Sequence, residues 1–170
     1  MSRLLAALLL AAAALPASAR VVRIRVLHTN DVHGWILPRK ERHGERMVGG
    51  AAAFAAWARK ERRKGPSLTL DAGDWFQGTP EGTLSHGRAA TDVMDAVGYD
   101  ATTVGNHDFD FGEATLEDLI AHFKTPVLND NIESASDGRL VPWVRPWVIK
   151  DVGGVKVGIF GLLTTGMSHI

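Results

Sequence analysis

Ser67-Leu68-Thr69-Leu70-Asp71-Ala72-Gly73-Asp74 runs a short apolar strand directly into a glycine turn that ends on a carboxylate. The stretch reads as a buried strand because turn signals bound it, Gly65-Pro66 before and Gly73 after. Asp74 therefore stands just past a strand's carboxyl end, where open α/β sheets bind their ligands. Gly73, with no Cβ, lets the backbone approach closely at that point.

Working outward, Val21 to His28 alternates Val and Ile with Arg and reads as a first strand, ended by Asn30 to Gly34. The polar stretch from Pro38 to Arg46 reads as an exposed loop. Gly49-Gly50 opens an alanine-rich helix that passes Phe54 and Trp57 and stops at Gly65-Pro66. Downstream, Ala89 to Val97 is a helix closed by Gly98, Ala101 to Val104 a strand, and Gly105 to Gly112 a loop. Thr115 to Phe123 follows as a helix and Pro126 to Leu128 as a strand. Val144 to Val152 and Val155 to Gly161, joined across Gly153-Gly154, form a hairpin. Strands alternating with helices specify an α/β fold whose first part is a parallel sheet, with antiparallel strands added late.

Three polar clusters fall at three consecutive strand ends. Asp31 and His33 follow the first strand, Asp74 the second, and Asn106, His107, Asp108 and Asp110 the third. In an extended segment residues two apart project to one side, so Asp31 and His33 can face one cation. A carboxylate has two oxygens and can bridge two metals, and Asn106 offers a neutral amide oxygen beside Gly105. Carboxylate, imidazole and amide donors suit Mn²⁺, Zn²⁺ or Mg²⁺, and Ca²⁺ less well given the histidine. Each cluster alone has a bland reading as a solvated turn; their order and placement make the metal site.

The bulk composition excludes several classes. The 19 basic residues balance 19 acidic ones, so no global field draws the chain to a nucleic-acid polymer or an anionic membrane. The one basic run, Arg59-Lys60-Glu61-Arg62-Arg63-Lys64, falls in the last turns of a helix, where cations complement the helix dipole. Cysteine is absent, which removes disulfides and the sulfur-based zinc sites. At the N-terminus, Ser2-Arg3 precedes the apolar run Leu4 to Leu15, then Pro16 and Ala17-Ser18-Ala19. This is the layout of a secretory signal peptide over residues 1–19, too short for a bilayer span. Cleavage after Ala19 predicts an exported chain, periplasmic or extracellular, with no membrane span.

Three stretches resemble the calcineurin-like metallophosphatases: His28-Thr29-Asn30-Asp31-Val32-His33-Gly34, Asp71-Ala72-Gly73-Asp74-Trp75-Phe76-Gln77-Gly78-Thr79-Pro80, and Gly105-Asn106-His107-Asp108-Phe109-Asp110-Phe111-Gly112. Their flanking residues, with Asn131-Ile132 and Gly158 to Thr165, look like the 5'-nucleotidase branch. The resemblance covers nearly all of the chain after residue 19. It implies a two-sheet sandwich flanked by helices, with residues 20–170 as the N-terminal portion of the domain and its C-terminal half incomplete. It implies two divalent ions, with Asp31 and His33 on one, Asp74 bridging both and Asn106 on the second. His107 then faces the phosphate, oriented by Asp110. Two departures stand out: Asp108 where Glu is common, and Trp35 where His is common. The family's later metal-binding histidines have no counterpart here, and His169 matches no ligand motif. His43, His86 and His122 read as surface residues.

The implied activity is hydrolysis of nucleotide phosphate esters, with a fragment of this extent expected to be inactive alone. The same scaffold serves cyclic-nucleotide phosphodiesterases, nucleotide-sugar hydrolases and thiosulfohydrolases, although the His107/Asp110 pair favours phosphate esters. A non-catalytic exported nucleotide-binding protein is the reading from another class; loss of the later histidines distinguishes it.

Overall fold

The computed structural model describes residues 20–166, so the leader expected over 1–19 and His169 lie outside the described residues. The chain opens with β1 (Arg25–Thr29), β2 (Arg39–Lys40), β3 (Met47–Val48), α1 (Ala51–Arg62) and β4 (Ser67–Asp71). It continues with α2 (Pro80–Thr83), α3 (Arg88–Val97), β5 (Ala101–Thr102), a 3₁₀ turn (Asn106–Phe109) and α4 (Glu113–His122). β6 (Trp147–Val152) and β7 (Val155–Phe160) close the sequence of elements.

β4 lies between β1 and β5 and runs parallel to both. The register puts Thr29 opposite Asp71 and Asp71 opposite Thr102, so the three strands end at one level. Every loop leaving those ends starts from the same rim, which is what brings the three polar clusters together. Parallel bridges from Thr102 to Val127 and from Leu128 to Arg145 continue this sheet. β6 and β7 pair antiparallel as a second, separate sheet, Trp147 opposite Phe160 and Val152 opposite Val155. Gly153 and Gly154 both take positive φ, 65° and 85°, the conformation a two-residue hairpin turn requires. The α/β plan of small sheets and helices is therefore present.

Several boundaries differ from expectation. The first strand starts at Arg25 rather than Val21, because Val21 is 92% exposed and has nothing to pack against. The third strand stops at Thr102, since the chain turns out of register to carry Gly105 toward Gly73. The stretch from Pro38 to Arg46 is not wholly loop: β2 and β3 form a small antiparallel ribbon. Arg39 fastens it, donating to Glu81 at 2.8 Å with its guanidinium 4.5 Å above the Trp35 ring. Gly105 to Gly112 contains the 3₁₀ turn rather than open loop.

Within the basic run, Arg62 does more than face solvent. Its guanidinium donates to the Val97 carbonyl at 2.8 Å, to the Gly98 carbonyl at 2.6 Å and to Thr69 Oγ1 at 2.8 Å. It thus satisfies the carbonyl end of α3 from a neighbouring helix, while Gly98 closes that helix in a left-handed cap.

The core gathers Trp75, Phe76, Met94, Val104, Leu116, Leu119 and Phe123. Trp75 and Phe76 directly follow Asp74 and are essentially inaccessible, at 0% and 1% exposure. The Trp75 ring meets Phe123 edge to face at 5.4 Å and its Nε1 donates to Thr102 Oγ1 at 2.9 Å. Truncating a ring buried this way costs about 3–5 kcal/mol, so the core itself anchors the loop that presents Asp74. Among the described residues no helix is long and apolar enough to cross a membrane.

Candidate metal centre

Beyond Thr29 the chain does not stay extended. Asp31 and His33 take positive φ, 51° and 48°, so they converge through left-handed turns rather than through strand alternation, contrary to the sequence expectation. The reason is a backbone zipper: the N–H groups of Asp31, His33 and Gly34 donate to the carbonyls of Gly73, Asp74 and Trp75. Asp74 is itself left-handed at φ 59°. Of the four non-glycine residues with positive φ among the described ones, three are these expected ligands and the fourth is His86. Such conformations cost about 1–3 kcal/mol each and persist where the surroundings impose them, typically at functional sites.

The outcome is a cluster in which one donor atom each of Asp31, His33 and Asp74 lies within 4.8 Å of the others. His33 Nδ1 is 2.7 Å from the Gln77 carbonyl oxygen. A carbonyl only accepts, so Nδ1 carries a proton and Nε2 is the ring atom left to face the cluster. That Nε2 sits 3.8 Å from Asp31 Oδ1 and 4.0 Å from Asp74 Oδ2, facing both carboxylates. The Asn30 amide also donates to Asp31. Among the described residues no Lys or Arg pairs with Asp31 or Asp74. Two carboxylates and an imidazole edge without a Lys or Arg partner form a donor set that fits a hard or borderline divalent ion.

Asn106 opens the 3₁₀ turn that abuts Asp74. A Cβ on Gly105 would stand 2.2 Å from Asp74 Oδ1, and one on Gly73 would stand 2.3 Å from the Gly105 nitrogen. The two loops therefore touch backbone to backbone. Asp74 Oδ1 accepts the His107 N–H at 2.8 Å, which orients that carboxylate. The His107 ring lies 5.3 Å from the His33 ring, edge on, so the expected phosphate-facing residue sits beside the expected metal ligands. Asp110 accepts from His107 Nδ1 at 3.0 Å, and this hydrogen bond holds the imidazole pKa above its ordinary value. All six expected residues thus meet at one rim of the sheet. His43, His86 and His122 are exposed, as expected.

Asp71, to which the sequence reading gave no role, and Asp108, read there only as one of a polar cluster and a departure from the family pattern, support this rim. Asp71 accepts from Thr29 Oγ1 at 2.6 Å, Thr102 Oγ1 at 3.0 Å and the Gly73 N–H at 2.9 Å. Thr29 in turn accepts from the Tyr99 hydroxyl at 2.8 Å. Burial pushes the Asp71 carboxyl above its usual range, and the Tyr99 hydroxyl up to about 12. Asp108 is 1% exposed and accepts the backbone N–H groups of Asp74, Trp75 and Gly105. Burial raises its carboxyl to about 7 against the pull of those donors. The density of polar residues in Asn106 to Asp110 signalled a site, but not which of them turns inward.

Residues 24–163 match the model of the calcineurin-like phosphoesterase family. The chain is 37% identical over 160 residues to the snake venom 5'-nucleotidase of Gloydius brevicauda, covering 89% of this chain and 27% of that protein. Its fold superposes on Haemophilus influenzae NAD nucleotidase with a TM-score of 0.75 at 36% identity, covering 85% of this chain and 27% of that one. The 5'-nucleotidase precursor of Thermus thermophilus gives 0.72 at 37% identity, over 82% and 28%. The chain thus spans about a quarter of the length of these relatives. With the family model matched along most of its length and the three strand-end clusters gathered at one rim, the chain belongs to the calcineurin-like phosphoesterases.

Proposed function

We propose that this chain is the N-terminal portion, after a signal peptide over residues 1–19, of an exported phosphoesterase that hydrolyses nucleotide phosphate esters through two divalent ions. The observation that carries the reading is the meeting of Asp31, His33 and Asp74 within 4.8 Å, with the His107 ring 5.3 Å from that of His33. Asp31 and His33 would hold one ion, Asn106 the second, and Asp74 would serve both; Mn²⁺, Zn²⁺ and Mg²⁺ all suit these donors. Bound divalent ions lower the pKa of water toward neutrality and clamp the oxygens of an in-line displacement.

The chain's own residues supply the rest. The hydrogen bond from His107 to Asp110 fixes the imidazole tautomer and leaves Nε2 as the position that gains or loses a proton. A raised pKa keeps His107 protonated closer to neutral pH, which suits it to stabilise phosphoryl oxygens or protonate a leaving group. Four ligands supply only part of a two-metal coordination set, so the 170-residue chain alone is expected to bind metal weakly and to turn over little or no nucleotide. The test is metal analysis and AMP hydrolysis in the longer protein. Asp74→Ala is expected to lose both ions and nearly all activity, and His107→Ala to lose turnover while keeping its metal. Equal metal loss in the two variants would refute the role given to His107.

A further inference from the structure

Of the two acidic side chains in the Asn106 to Asp110 segment, Asp110 is exposed and Asp108 is buried. Its oxygens are taken up by backbone: Oδ2 accepts the Asp74 N–H at 2.9 Å and the Gly105 N–H at 2.8 Å, and Oδ1 the Trp75 N–H at 2.8 Å. Asp74 and Trp75 belong to the loop after β4, and Gly105 to the loop after β5. In return, Asp74 Oδ1 accepts the His107 N–H from the second loop. Each loop therefore holds backbone amides of the other with a carboxylate. One of those carboxylates is an expected ligand and the other is fully buried.

We infer that Asp108 is a positioning residue of the metal centre, setting the distance between the Asp74 and Asn106 loops without touching an ion. The inference rests on the metal reading proposed above. The buried amides of Asp74 and Trp75 and the half-buried amide of Gly105, left without acceptors, would carry a desolvation cost, so the loops cannot hold this arrangement unless something accepts from all three. Only a carboxylate offers acceptors on both oxygens. An asparagine in its place turns an NH₂ toward at least one of the three N–H groups. Glutamate keeps both acceptor oxygens and adds one methylene.

The test compares wild type, Asp108→Asn and Asp108→Glu in the longer protein. Mn²⁺ binding is read by electron paramagnetic resonance, amide exchange by NMR, and far-UV circular dichroism confirms that each is folded. Asp108→Asn is expected to weaken Mn²⁺ binding about tenfold or more, the loss typical when a group that orients metal ligands is removed. Exchange should accelerate at Asp74, Trp75 and Gly105 while amides within α3 stay protected. Asp108→Glu should recover most of the affinity. Wild-type affinity in a folded Asp108→Asn variant, even one that melts earlier, would mean a purely structural carboxylate and overturn the inference. If Asp108→Asn does not fold, Asp108→Glu decides: an affinity about tenfold below wild type overturns it, and near-wild-type affinity sustains it. If the longer wild-type protein itself bound no Mn²⁺, the metal reading would fail and this inference with it.

Discussion

Gly105→Ala is a small substitution aimed at the contact between the ligand loops. Gly105 has φ −99° and ψ 179°, which alanine adopts without strain, so backbone conformation contributes nothing to the effect. The methyl group would stand 2.2 Å from Asp74 Oδ1, 2.6 Å from its Cγ and 2.6 Å from its backbone nitrogen. Rotating the carboxylate relieves the first two contacts and leaves the third, because that nitrogen is held by Asp108. The loops must then separate by roughly 1 Å to restore ordinary contact, at an overpacking cost of about 1–3 kcal/mol. That is below the total stability of a typical domain, so the variant should fold. A displacement of about 1 Å at positioned groups is worth on the order of 10²-fold where geometry carries the chemistry. The expected result is a modest fall in melting temperature and at least about tenfold weaker Mn²⁺ binding, read by electron paramagnetic resonance. Gly112→Ala is the control: Gly112, at the far end of the Gly105 to Gly112 segment, has φ +84° and open space around it, so alanine strains the backbone without meeting Asp74. Gly105→Ala binding Mn²⁺ as tightly as wild type, or Gly112→Ala losing as much, would refute the argument that the touching loops set the site.

Other outcomes test the supporting structure. Tyr99 is the single tyrosine, so absorbance near 295 nm reports its ionisation alone. The folded chain should titrate near 12, and since the folded state keeps the proton where the unfolded chain has lost it, stability falls as pH rises from about 10 toward 12. A midpoint near 10 with the far-UV spectrum intact would contradict the buried hydroxyl. In the metal-free chain, Asp110→Asn should lower the His107 pKa, because it removes the acceptor that favours the charged ring; an unchanged NMR titration would sever the pair. Arg62→Ala should cost about 2 kcal/mol in urea unfolding, since it removes charged donors from the last carbonyls of α3. A loss no larger than that typical of an exposed surface change, about 0.5 kcal/mol, would make Arg62 an ordinary solvated cation.

Local rules were enough for much of the fold. Ser67 to Asp71 forms the strand read from its bounded apolar run, and Gly98 closes α3 because only a left-handed cap ends the helix there. Gly153-Gly154 makes the hairpin turn for the same kind of reason. The six candidate site residues were legible because each follows a strand end, and a parallel sheet in register delivers its strand ends to one rim. How they meet was not legible. Asp31 and His33 converge through positive φ, which a sequence window does not favour and which the zipper to Gly73, Asp74 and Trp75 imposes. Likewise, nothing local says that Asp108 turns inward while Asp110 turns to His107; amides of another loop, Asp74 and Trp75, decide it. Sequence alone determined which residues leave the sheet at the same edge, because strand and turn preferences act over a few neighbours. Tertiary structure decided which carboxylates gather beside His33 and which holds backbone, because that choice depends on hydrogen-bond donors more than thirty positions away in the chain.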